Sequence, residues 1–223
     1  MKARQAGFTL VEIAIVLVII GLLLGGILKG QEMITQAKIK NVIADFSGVS
    51  AAYHGYQDRY RAIPGDDPNA ATRWAVAPAA TAGNGNGVVA GAYNSATATD
   101  ESRLWWDHLR RAGFVSGNGT QQPFNALTGL IGVQTGDGGA TVGPTMLNAG
   151  GGNGFVGLIM CSANLPDKIA IAVDTQMDDG ASNLGTVRAL LQTAPNPAIG
   201  AAQVATAAYA ETSTNIYTLC RSL

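Results

Sequence analysis

Hydrophobicity is concentrated at the start of the chain. From Phe8 to Leu28 the residues are apolar or small, and the only ionisable one is Glu12. About 20 apolar residues span the hydrocarbon core of a bilayer as a helix, so this run is long enough to cross one. Lys2 and Arg4 precede it and no comparable basic cluster follows directly. The positive-inside tendency therefore places the N-terminus in the cytoplasm and everything after Leu28 beyond the membrane.

Past the run, the pattern changes from continuous to striped. Ile39, Val42, Phe46, Val49, Tyr53, Tyr56 and Tyr60 recur at spacings of three and four, with Lys38, Lys40, Asp45, Gln57 and Asp58 between them. That stripe predicts an amphipathic helix continuing from the apolar one. Ile63-Pro64-Gly65-Asp66 stops it, because proline disfavours helical geometry in the residue before it and Pro-Gly favours a turn. A helix of roughly fifty residues would be about 75 Å long at 1.5 Å per residue. Its first half, residues 8–28, is the transmembrane segment, and its second half is a spine for a soluble domain. Gly21, Gly25, Gly26 and Gly30 fall in or just after the apolar run. Glycine is common in membrane helices, and small residues also let helices approach closely.

Residues 63–223 make up one domain of about 160 residues. Asp100 to Ala112 reads as a short helix, with Thr99 as its cap, acidic residues in the first turn, Arg110-Arg111 in the last and Gly113 beyond. Gly129 to Gln134, Phe155 to Met160, Lys168 to Asp174 and Ile216 to Cys220 read as strands, separated by glycine-rich turns such as residues 83–87. The fold class is α+β: a long N-terminal helix packed against a C-terminal antiparallel β-sheet domain.

The domain is rich in glycine and poor in charge, and the formal net charge of the chain is −1. Nucleic acid is bound through clustered Lys and Arg, so it is not the main ligand. Neither Arg110-Arg111 with Lys168 nor Arg59 and Arg61 around Tyr60 makes a basic face. His54 and His108 are the only histidines and form no zinc ligand series. Gly-x-Ser-x-Gly elbows and Walker loops are absent, so the reading is not that of an enzyme. The tyrosines at 53, 56 and 60 fit spine packing before electron transfer.

Asp174, Asp178 and Asp179, followed by Gly180, offer hard oxygen ligands that suit calcium, and Asp66 and Asp67 form a second acidic pair. The spacing does not match the twelve-position EF-hand loop and lacks its terminal Glu. An Asp-Asp-Gly turn is the alternative. Beyond calcium there is no candidate cofactor.

Glu12 remains unexplained by hydropathy, because a carboxylate in a membrane helix is costly and finds a partner or marks a function. It lies shallow enough to reach the headgroups. A contact with the amino group of a neighbouring chain is the other reading, and it requires a cut just before Phe8. An ordinary signal peptide would be cut after the apolar run at a small-x-small site, but that side reads Gly25 to Glu32 with no Ala-x-Ala.

Ala6-Gly7-Phe8-Thr9-Leu10-Val11-Glu12-Ile13 resembles the class III signal of type IV pilins and type II secretion pseudopilins. The resemblance implies a leader, residues 1–7, that a prepilin peptidase removes after Gly7. It implies methylation of the new N-terminal Phe8, and it makes Glu12 the assembly residue that neutralises the amine of a neighbouring subunit. Implied partners are the peptidase, copies of the chain or related pilins, and an inner-membrane assembly platform. The chain is expected in the inner membrane with its soluble domain, residues 63–223, in the periplasm, and then in a pilus or pseudopilus. Residues 8–62 form the helical spine.

Cys161 and Cys220, the only cysteines, both fall in the exported part, where an even pair is read as a disulfide. Such a bond would contribute about 3 to 4 kcal/mol on the chain-entropy account. In the resembled family a C-terminal disulfide delimits a variable surface region, which the span 161–220 matches in position. Three roles stay open: a structural filament subunit, a minor pilin or secretion pseudopilin that primes a filament, and a membrane-tethered binding module.

Overall fold

The computed structural model describes residues 9–136, 154–200 and 205–223. Helix α1 runs from Leu10 to Tyr60, followed by the short α2 (Ala70–Arg73) and by α3 (Glu101–Arg111). Strands β1 (Ile131–Thr135) and β2 (Leu158–Pro166) lead into α4 (Asp167–Met177), and β3 (Val187–Leu191) and β4 (Ile216–Ser222) complete the chain. The arrangement is α+β, with one four-stranded antiparallel sheet in the order β1-β2-β4-β3. The chain divides into two compact units at Lys38/Ile39.

In the first unit, the described residues are helical from Leu10 onward, and the large apolar side chains from Leu10 to Leu28 are exposed. Among the described residues this is the one stretch long and apolar enough to cross a membrane.

In the second unit, the stripe predicted from spacing is the buried face of α1 from Ile39 to Tyr56 (Ile39, Val42, Phe46, Val49, Tyr53 and Tyr56, joined by Ala52), while its last member, Tyr60, is only partly buried against the core. They share a core with Trp105, Trp106 and Leu109 of α3, Ile169 and Val173 of α4, and Met160, Tyr217 and Leu219 of the sheet. The opposite face of the sheet carries Ile159, Cys161, Ala163, Leu190 and Cys220 against Tyr93, Phe155 and Ile199. Alternation along β2 thus sends neighbouring residues to two cores, as the period of two requires. The helix stops at Tyr60 because Arg61 turns left-handed, at φ 53°, while its N–H still donates to Gln57 O at 2.8 Å. Gly65, at φ 83°, then passes so close to the Glu101 carbonyl that a Cβ would collide with it.

Three sequence expectations need correction. Residues 168–174 are helical, because Ile169, Ala170, Val173 and Asp174 form one buried face at helical spacing and the alternation with smaller residues is incidental. Asp167 in the first turn is a helix-start signal that outweighs it. The cap of α3 is Asp100, in extended geometry, not Thr99; its carboxylate takes the Ser95 hydroxyl at 2.5 Å instead of capping the helix. Strand β3 was not expected, since Val187-Arg188-Ala189-Leu190-Leu191 carries no clean alternation.

Both outer strands are covered. On β1, Ile131 N–H donates to Pro123 O and Thr135 N–H to Val89 O. On β3, Ala189 N–H donates to Ser182 O while its carbonyl accepts Thr206 N–H. An edge whose backbone groups are already partnered offers little template for adding another strand.

Candidate functional site

Gly7 and Phe8, the cleavage and methylation positions, lie outside the described residues. Thr9 and Glu12 are the first part of the signal that is described. Glu12 Oε2 accepts both the Thr9 N–H and the Thr9 hydroxyl, each at 2.8 Å, and Glu12 N–H donates to Thr9 Oγ1 at 3.3 Å. This is a reciprocal capping box, in which the first turn of the helix satisfies two of its own otherwise unpartnered N–H groups. A carboxylate also sits favourably at the positive end of the helix dipole. Glu12 is therefore fixed at the helix N-terminus, with Oε1 free of hydrogen bonds among the described residues. Around it, Ile13, Ile15 and Val16 are exposed and apolar. The Thr-x-x-Glu spacing of Thr9 and Glu12 is the sequence signal for this box.

The acidic residues 174, 178 and 179 do come together: one oxygen of each lies within 4.8 Å of the others. Asp174 is fully buried at the end of α4, Asp178 is its C-cap, and Asp179 follows. One oxygen of each already has a partner. Asp178 Oδ2 accepts Thr186 N–H at 2.5 Å and Val187 N–H at 2.9 Å, pinning the start of β3. Asp179 Oδ1 accepts Ala181 N–H at 2.8 Å, and Asp174 Oδ2 accepts the Tyr209 hydroxyl at 2.6 Å. Asp174 Oδ1 has no partner. Burial pushes the Asp174 carboxyl up to about 6, with the charges of Asp179 and Asp178 adding to it and the Tyr209 hydroxyl opposing. The turn-forming bonds account for Asp178 and Asp179. A cation would have Asp174 Oδ1 and the remaining oxygens of the other two to bind.

Asp66 and Asp67 do not form a cluster of like function. Asp66 Oδ1 accepts Gly85 N–H at 2.6 Å and Asn86 N–H at 3.1 Å, and its Oδ2 accepts Gly87 N–H at 2.7 Å, so one buried carboxylate organises the glycine-rich loop. Asp67 Oδ2 takes the Tyr56 hydroxyl at 2.6 Å and Arg73 Nη1 at 2.5 Å, and its Oδ1 takes Asn69 N–H. Arg73 in turn lies over the Tyr60 ring, 4.2 Å from its centroid. His54 is exposed on α1. His108 is buried, with Nδ1 accepting Gly65 N–H at 2.9 Å and Nε2 lying 2.8 Å from Thr81 O. Burial keeps its pKa below the ordinary imidazole value. With both nitrogens occupied by the fold, His108 is a bracket between two loops.

Residues 2–28 match the family model described as prokaryotic N-terminal methylation motif, the signature of type IV pilins and pseudopilins. No curated protein matches the chain, and no solved structure does.

Proposed function

We propose that this chain is a structural subunit of a type IV pilus or a related filament, held in the inner membrane by its N-terminal helix before assembly. The observation that carries this reading is the methylation motif at residues 2–28, which overlaps the start of a helix whose large apolar residues from Leu10 to Leu28 are exposed among the described residues. In lipid those side chains are solvated. In a filament, copies of the same helix would cover them, with Gly21, Gly25 and Gly26 permitting close approach.

On this reading a prepilin peptidase cuts after Gly7 and the freed Phe8 amine is methylated. The capping box holds Glu12 one turn from that terminus, with Oε1 available to a second positive group. A neighbour's Phe8 amine supplies the opposite charge, and in an apolar setting the pair fixes the register between helices far more strongly than in water. The soluble unit lies on the periplasmic side before assembly and faces outward afterwards. Related pilins and an inner-membrane assembly platform are the other partners, and no enzymatic role is assigned.

The experiment is a pair of substitutions followed separately through processing and incorporation. Glu12→Ala should keep leader removal and lower filament incorporation, while Gly7→Glu should block processing. Undiminished incorporation of both variants would sink the mechanism.

A further inference from the structure

The chain contains four Asn-Gly pairs, beginning at Asn84, Asn86, Asn118 and Asn153. Such a pair can cyclise, because the glycine nitrogen approaches the preceding side-chain carbonyl with no Cβ in the way. The fold can prevent this by occupying the glycine N–H or by holding the asparagine side chain elsewhere. Asn153 lies outside the described residues, and the other three are treated in two different ways.

Asn84 and Asn86 are exposed yet held. Gly85 N–H donates to Asp66 Oδ1 at 2.6 Å and to Asp66 O at 3.0 Å, and Gly87 N–H donates to Asp66 Oδ2 at 2.7 Å. The asparagine side chains are engaged as well: Asn84 Oδ1 accepts Asn86 N–H at 3.0 Å and Asn86 Oδ1 accepts Val88 N–H at 2.8 Å. Asn118 is also exposed, but its side chain and the Gly119 N–H make no hydrogen bond among the described residues. Its loop is held mainly through carbonyl oxygens, with Arg103 Nε donating to Thr120 O at 2.6 Å beside the Arg110 contacts. Arg110 Nε donates to Ser116 O at 3.3 Å, and Arg110 Nη1 donates to Gly119 O at 2.7 Å and Gln121 O at 2.6 Å.

We propose that Asn118 is a site of spontaneous covalent modification, converting to aspartate and isoaspartate while Asn84 and Asn86 are protected by the Asp66 carboxylate. The Gly119 nitrogen bonds to Asn118 Cγ, and its proton leaves with the side-chain amide as ammonia, closing a succinimide. Water opens the ring at either carbonyl, so the balance is one water consumed and one ammonia released, with no oxidant or reductant. The product carries a new carboxylate in the loop that the Arg110 guanidinium spans. The isoaspartate product also lengthens the backbone between the Ser116 and Gly119 carbonyls that Arg110 clamps. The exposed face of the protein thus gains negative charge with age at one defined place.

The test is to age the full-length chain in detergent at neutral pH and quantify aspartate and isoaspartate in the peptides holding Asn84, Asn86 and Asn118. The Asp66 bonds are charge-assisted and must open before Gly85 or Gly87 can react, so Asn118 should convert on the order of tenfold faster. The denatured chain should lose the difference, and Asn118→Gln should remove the fast conversion while leaving the folded spectrum unchanged. Equal rates at the three sites in the folded chain, or a difference that persists in the denatured chain, would overturn the proposal.

Discussion

Cys161 and Cys220 stand opposite one another in the β2–β4 ladder, with their Cα atoms 4.1 Å apart and their sulfurs bonded. Both are fully buried on the sheet face away from α1, beside Ala163 and Leu190. β4 is the last element of the chain yet lies inside the sheet between β2 and β3. The bond therefore fixes the strand whose placement closes the longest span between paired neighbours.

Removing that bond should be felt by the whole sheet. The double substitution Cys161→Ser, Cys220→Ser should lower unfolding free energy by about 4 kcal/mol on the chain-entropy account. Denaturant unfolding of the oxidised wild type and the variant measures it, and a loss well under 1 kcal/mol would show the ladder to be sufficient alone.

Asp67 should be a carboxylate on which acid resistance depends. Burial pushes its pKa up, but the Tyr56 hydroxyl, the Arg73 guanidinium and the Asn69 N–H outweigh that and leave it below the ordinary value. The unfolded carboxyl titrates near 4, so the stability it contributes is present above about pH 4 and is lost as pH falls through the lower folded value. Asp67→Ala should cost about 3–5 kcal/mol by leaving Arg73 half-buried without its partner, and should flatten the acid limb of the stability profile.

Asp174 acts in the opposite direction. Its folded pKa is raised to about 6, so the folded state keeps a proton that the unfolded chain has released, and stability falls as pH rises from about 4 to about 6. Asp174→Asn should remove that fall and, at neutral pH, stabilise the chain by up to about 3 kcal/mol. Calcium titration separates the two readings of the cluster. A rise in melting temperature that Asp174→Asn abolishes assigns it to a cation, and a flat titration assigns it to the turn.

The parts legible in sequence were those written in long-range periodicity. The stripe from Ile39 to Tyr56 gave the buried face of α1, and the even cysteine pair gave the bond between β2 and β4. Short elements were legible only where a single period applied. Residues 168–174 satisfy a period of two through Ile169, Ile171 and Val173, while the fold buries Ile169, Ala170 and Val173 and leaves Ile171 half-exposed. The roles of Asp66 and Asp67 could not be read from their adjacency. Their partners come from positions 85–87 and from Tyr56 and Arg73, which only the folded chain brings to opposite sides of one turn. His108 is similar, since Gly65 and Thr81 meet it from two separate loops.

The most direct test of filament membership is peptide mass spectrometry of filaments sheared from the native cell surface, with the N-terminal peptide included. The account predicts that the chain is an abundant subunit and begins at a methylated Phe8. A chain that starts there but is scarce in the filaments would move it to a priming or secretion role. An uncut N-terminus on a chain that stays with the membrane would contradict the account and leave the helix as a simple anchor.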